Sequence, residues 1–306
     1  MKLLFKLLVF SLLFYICQKD EEINSDKNKL DENEIISEID SSGILDYLYL
    51  GHPYQSNSKV DKRLEEMDLS KFSQIWLGGD VCSETTQSQS TLNYLDNLFD
   101  LSNPGNFWSL GNHDIRNGNT QWIFEKTKRG SFYTTYLRGI TVSVINTNWN
   151  VNGINCDSIT AQFEMLTSVC DTIDASSHFV ILSHQVIWGE IDSLTNVKSY
   201  ANADGSHQVF KCSPNQKFAE SFYPRLVELE QKGIEVVIVA GDMGQTDFTY
   251  QKTSNEGIDF VASGFCSDTE WNSQFPTHGL ADQVAIFHHD TINKTLTWEF
   301  EYLDDL

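Results

Sequence analysis

The sequence predicts an α/β domain in which two mixed β-sheets pack together with helices outside. Three observations carry this expectation. Through the first half of the chain, short apolar runs suited to buried strands alternate with stretches of helical periodicity. From Thr249 onward every periodic stretch reads as a strand and none as a helix. A length of 306 residues with 40% hydrophobic content suits one large domain with a substantial core.

The elements follow in order. Ile44 to Leu50 is apolar and β-prone and stops at Gly51-His52, which marks a strand. Val60, Leu64 and Met67 share one helical face, predicting a helix over 59–69, and Phe72 to Leu77 predicts a strand. Leu92, Leu95, Leu98 and Phe99 stand at helical spacing within 91–101, and a strand over 107–110 follows. Two strand-like runs flank Arg138-Gly139 within 131–148, a hairpin pattern. A helix is predicted over 158–173, a buried strand over 178–182, and a helix over 216–232 with Pro224 as a point of kinking. Ile234 to Ala240 is a β-branched strand. Stretches 258–263, 283–288 and 295–302 complete an antiparallel tail.

The termini and charge bound the function. Lys2 precedes an almost wholly apolar run, Leu3 to Ile16, too short to span a bilayer comfortably and of the length of a secretory h-region. Cys17 closes it and is followed by Gln18-Lys19-Asp20-Glu21-Glu22. The segment resembles a bacterial lipoprotein signal with Cys17 as the lipidated residue, although Ile16 stands where such signals carry a small residue. The competing reading is an ordinary secretory signal with an incidental cysteine. Residues 1–17 are thus expected to be a signal segment, 18–42 an acidic flexible tether with nine acids against three lysines, and 43–306 the folded domain. The implied location is the bacterial cell envelope, as an outer-membrane or surface lipoprotein, or else secretion, with membrane contact only through the N-terminal lipid. A net charge of −22 disfavours any protein that tracks a nucleic-acid backbone, and a phosphate-bearing substrate would need a local cation to enter.

Six cysteines are present (17, 82, 156, 170, 212 and 266) and no CxxC pair, so a structural zinc site is not expected. One or two disulfides are compatible with the count, Cys156 and Cys170 being the nearest pair in sequence. Cys82, beside Asp80, reads as a free thiol. The competing reading makes all of them small buried apolar residues.

Five of the apolar strands end in polar clusters: Leu50-Gly51-His52, Gly78-Gly79-Asp80, Gly111-Asn112-His113-Asp114, Leu182-Ser183-His184, and Ala240-Gly241-Asp242-Met243-Gly244. Ligands bind at the carboxyl ends of strands in α/β sheets. Carboxylate, amide and imidazole donors gathered there suit a divalent cation and metal-assisted hydrolysis. His178, His207, His278, His288 and His289 match no such pattern and read as structural or surface residues.

With GNHD at Gly111 to Asp114 and GD at Gly79-Asp80, residues 44–300 resemble the calcineurin-like metallophosphoesterases. The resemblance implies a four-layer αββα sandwich and a two-metal site. It implies Asp80 as the bridging ligand, and Asn112 and His184 as ligands of the second metal. His113 would be the general acid, oriented by Asp114, and Arg116 a contact for a phosphate oxygen. Two motifs depart from the family pattern. D-x-H reads Leu50-Gly51-His52, and Asp46, four residues back along the strand, is about 13 Å away. G-H-x-H reads Gly241-Asp242-Met243-Gly244, where Asp242 can donate oxygen and Gly244 donates nothing. Sorted by metal, one site keeps Asp80, Asn112, His184 and Asp242, and the other keeps only His52 and Asp80. One well-formed divalent site (Mn, Mg, Fe, Zn or Ca) and one weak or absent site are therefore expected, with Asp242 favouring harder ions. Gln245 or Asp247 could fold back toward the weaker site. The expected function is a metal-dependent phosphatase or phosphodiesterase acting on a small or exposed phosphoester. The alternative is a surface binding protein that keeps the scaffold without catalysis.

Overall fold

The computed structural model describes residues 43–56, 58–149, 155–191, 193–194, 201, 212, 217–243, 249–264 and 282–306. The signal-like segment with Cys17, the acidic stretch 18–42, most of the polar 189–214 loop, and Gly244, Gln245, Asp247 and Cys266 lie outside the described residues.

In chain order the strands are β1 (Ile44–Leu50), β2 (Tyr54–Ser56), β3 (Lys59–Val60), β4 (Gln74–Leu77), β5 (Phe107–Trp108), β6 (Tyr133–Leu137), β7 (Ile140–Val144), β8 (His178–Ser183), β9 (Glu235–Ala240), β10 (Thr249–Thr253), β11 (Asp259–Ser263), β12 (Gln283–Asp290) and β13 (Thr295–Tyr302). The helices are α1 (Lys62–Glu66), α2 (Gln89–Phe99), α3 (Asn112–Ile115), α4 (Gln121–Thr127), α5 (Cys156–Thr172) and α6 (Tyr223–Gln231). One mixed sheet has the order β13-β12-β1-β4-β5, the other β10-β11-β9-β8-β7-β6, and β2 pairs with β3 beside them. Strands β1, β4 and β5 run parallel, as do β7, β8, β9 and β11.

Side-chain alternation explains the layers. Along β1, Leu45, Tyr47 and Tyr49 enter the core between the sheets, while Leu48 and Leu50 face the helices outside. Along β9, Val237 and Val239 face the first sheet, and Val236, Ile238 and Ala240 face α5 and α6. Leu92, Leu95 and Phe99 of α2 cover one outer face, and Leu166 and Cys170 of α5 cover the other. Ser88 caps α2 by accepting from Thr91 N, and Asn155 caps α5 by accepting from Ser158 N. The result is a four-layer αββα sandwich, the fold class expected from the sequence.

Several details differ from expectation. Residues 59–69 do not form one helix: the Asp61 side chain caps a five-residue α1, and the Asp68 side chain accepts from Ser70 N and starts a separate 3-10 turn. The helix expected over 216–232 is a π-helical turn, Phe218–Phe222, leading into α6, and Pro224 sits in the first turn of α6, where its missing N–H costs no intrahelical bond. The tail is not purely antiparallel, because β11 pairs with β9 in parallel. The disulfide joins Cys156 to Cys212, not to Cys170. Cys156 and Cys170 belong to the same helix, about 20 Å apart along its axis, far beyond disulfide reach. Cys82 and Cys170 are free and buried.

Candidate functional site

The loops after β1, β4 and β5 in one sheet meet the loops after β8 and β9 in the other. Contact is close because glycines line it. A Cβ on Gly241 would stand 2.3 Å from the Gly78 carbonyl oxygen, so no larger residue lets these two loops approach this way. Gly79, with φ +91, turns the chain directly ahead of Asp80. His52 (φ 54) and Asp80 (φ 52) are non-glycine residues in the left-handed region, each costing about 1–2 kcal/mol that surrounding contacts offset.

Asp80 is the centre of the arrangement and is almost wholly buried. Its Oδ1 accepts from the His113 backbone N–H at 2.8 Å. Its Oδ2 faces three imidazole nitrogens: His184 Nε2 at 3.4 Å, His52 Nε2 at 3.7 Å and His113 Nε2 at 3.9 Å. Asp242 Oδ2 lies 3.9 Å from His184 Nε2, and the backbone N–H of Asp242 donates to the His184 carbonyl. His184 reaches across the sheets, its Nδ1 bonded to the Gly78 carbonyl at 2.8 Å, which leaves Nε2 as the nitrogen turned toward the carboxylates. Among the described residues, the approach of Asp80 Oδ2 at 3.4 Å is the nearest that Nε2 comes to a carboxylate oxygen.

The electrostatics follow from burial and these neighbours. Burial works to raise the Asp80 carboxyl, but the attraction of His184, His52 and His113 outweighs it and holds Asp80 well below the usual carboxylate range. Burial works to lower His184, and Asp80 with Asp242 overcomes it, pushing the imidazole up to about 10. Asp114 is raised to about 6, first by burial and then by the charge of Asp80.

The contacts of Asp114 and Arg116 differ from their expected roles. Among the described residues Asp114 makes no hydrogen bond to the His113 ring; its fully buried carboxylate accepts from the backbone N–H groups of Asp80, Val81 and Gly111, from Thr85 Oγ1 and from Trp108 Nε1. It ties the GD loop to the GNHD loop instead of orienting the imidazole, because the nearer unsatisfied donors are backbone groups. His113 Nδ1 is bonded to the Ser83 carbonyl at 3.0 Å. Arg116 is paired with Glu84 and Ser83 at the rim, so it would have to leave an existing carboxylate to hold a phosphate. Asn112 opens α3, half-buried, and its side chain makes no hydrogen bond among the described residues. Asp46, four residues back from Leu50 along β1, bonds His288 at 2.7 Å.

Sequence reasoning did not single out Tyr54, Ser83, Glu84 or Thr85, which surround His113, Arg116 and Asp114. Tyr54 stands two residues past His52, a signal too common to read alone.

The donor chemistry suits a divalent cation: the carboxylates of Asp80 and Asp242 and the imidazoles of His52, His113 and His184, with His184 Nε2 lying between the two carboxylates. The three imidazole nitrogens lie closer to Asp80 Oδ2 than about 4.2 Å, twice an ordinary metal–ligand bond. Among the described residues, however, no group of three or more His, Cys, Asp or Glu side chains is arranged so that it could hold a metal ion as it stands. The donor types fit, and closing on an ion requires side-chain adjustment.

No protein-family model and no curated protein matches the sequence. Among solved structures, the chain is similar to the phosphopantetheinyl hydrolase PptH from Mycobacterium tuberculosis, with TM-score 0.36 and 11% identity over 75% of this chain and 93% of that one. A likeness of this size is silent on chemistry, so the site must be judged on its own geometry.

Proposed function

We propose that this chain is a metal-dependent phosphoester hydrolase, exported and anchored to the cell envelope through a lipid on Cys17. The observation that carries the hydrolase reading is the meeting of three imidazole nitrogens within 3.4–3.9 Å of one buried carboxylate oxygen, delivered by loops of two separate sheets. Asp80, Asn112, His184 and Asp242 would hold one divalent cation, with His52 beside them. Bound there, the cation polarises a phosphoryl oxygen and lowers the pKa of water. The protein's own groups do the rest. Asp80 and Asp242 supply the negative charge that keeps a cation in place, and the Gly78 carbonyl keeps His184 Nε2 aimed at it. His113, with Nδ1–H donated to the Ser83 carbonyl, directs Nε2 into the site; in its imidazolium form it would give the Nε2 proton to the departing alkoxide as the P–O bond to that group breaks, while the water that forms the new P–O bond releases a proton to solvent. Asp114 keeps the two loops in register for that transfer.

The non-catalytic binding reading draws on two observations. Leu50, where the family pattern has an aspartate, is buried in the helix-side core and offers no donor, and Arg116 is already satisfied by Glu84. Hydrolysis of bis(p-nitrophenyl) phosphate and p-nitrophenyl phosphate by the purified chain decides between them. The hydrolase reading expects turnover with Mn²⁺, none after chelation, and a loss of about 10²–10⁴-fold in His113→Ala. Absence of turnover with every divalent ion tried refutes it and leaves the binding reading.

A further inference from the structure

We propose that Tyr54 is a positioning residue that fixes the His113 imidazole in its proton-donating orientation. The proposal rests on the reading of His113 as the acid. The Tyr54 ring stacks on the His113 ring with centroids 5.3 Å apart and planes 21° from parallel. The His52 ring meets the same tyrosine at 4.6 Å and 57°. Tyr54 therefore wedges between the imidazoles delivered by two different strand ends, and it is almost wholly buried.

The wedge belongs to a braced element. Tyr54 opens β2 and pairs with Val60 of β3. Asp61 N donates to the Pro53 carbonyl, and Val60 N donates to Tyr94 Oη on α2. The Ser56 carbonyl in turn accepts from Ser83 N at 3.2 Å. Ser83 is the residue whose own carbonyl holds His113 Nδ1. One small hairpin thus grips the imidazole in two directions: at its edge through Ser83, and on its face through Tyr54. A hydrogen bond at Nδ1 alone leaves the ring free to rock about that bond. The stacked tyrosine removes that freedom and keeps Nε2 pointing toward Asp80 Oδ2. Orientation of this kind matters because a misplacement of about 1 Å can lower a rate by about 10²-fold.

The test is imidazole NMR on the full chain labelled at histidine, with activity measured in parallel. The wild type should show a direct NOE between Tyr54 and His113 ring protons, and His113 ring protons shifted upfield by the tyrosine face. Tyr54→Phe should keep both that upfield shift and turnover. Tyr54→Leu should lose the shift and lower kcat by about tenfold or more with KM little changed. If the leucine variant does not fold, the wild-type NOE and Tyr54→Phe still decide. No NOE, unshifted His113 protons, or a folded Tyr54→Leu with unchanged kcat overturns the assignment. If the wild type hydrolyses nothing, the hydrolase reading fails while the NMR still reports whether Tyr54 holds the ring.

Discussion

At the scale of single residues, the determining group is Asp114, whose carboxylate collects five donors from segments scattered between residues 80 and 114. Asp114→Asn keeps one acceptor oxygen and replaces the other with a donor aimed at donors. The expected outcome is a loss of about 2–4 kcal/mol in urea unfolding, accompanied by loss of turnover because the Asp80 loop is released. Little change in the unfolding midpoint would show that the donors find other partners. Glu84→Gln acts in the opposite sense: it leaves Arg116 a neutral acceptor in place of a carboxylate and removes a negative charge from the rim. KM for an anionic phosphoester should fall, by no more than about fivefold, because the pair is partly exposed; a raised KM in steady-state kinetics would place Arg116 outside the substrate's path. The GNHD and GD residues could be picked out in sequence because each interrupts an apolar run. The partners of Asp114 could not, since they are backbone N–H groups whose meeting depends on the fold.

At the scale of elements, the site depends on loops from two sheets touching through glycine. Gly241→Ala places a methyl group against the Gly78 carbonyl oxygen, a backbone atom that cannot rotate away. The variant should melt lower and lose turnover together, as followed by thermal denaturation and hydrolysis; normal turnover would mean that the loops need not touch. Strand β12 makes a separate prediction. His289 is buried, with its ring bonded to Tyr47 Oη, and burial, then His178 and Arg138, lower it from 6.5 to about 4 against a weaker pull from Asp290. Between those values the unfolded chain carries a proton there that the folded chain does not. Stability should therefore fall as pH drops from about 6.5 toward 4. In His289→Gln the melting temperature should depend less steeply on pH across that window, and an unchanged slope would assign the effect elsewhere. Most strands and long helices were legible from periodicity. The 59–69 segment was not, because Asp61 and Asp68 break a pattern that Val60, Leu64 and Met67 suggest. The Cys156–Cys212 pairing was also hidden: a separation of 56 residues becomes a contact only once the chain has folded.

At the scale of the whole molecule, a net charge of −22 sets the terms on which any anion approaches the site. Raising ionic strength from about 20 to 200 mM shortens the screening length from roughly 20 to 7 Å, so KM for an anionic phosphoester should fall while kcat holds. A rising KM would imply a positive funnel at the entrance. The αββα architecture was legible because alternation along β1 and β9 separates a sheet-facing set from a helix-facing set. The closeness of the donor side chains was legible only as a convergence of strand ends, since rotamers and loop contacts set the remaining ångströms. The most direct measurement is metal stoichiometry after dialysis against Mn²⁺, read by elemental analysis of the wild type and Asp80→Asn. About one ion per wild-type chain and none in the variant is the predicted result. No ion in the wild type, or equal loading of both, would contradict the claim that Asp80 organises a cation site.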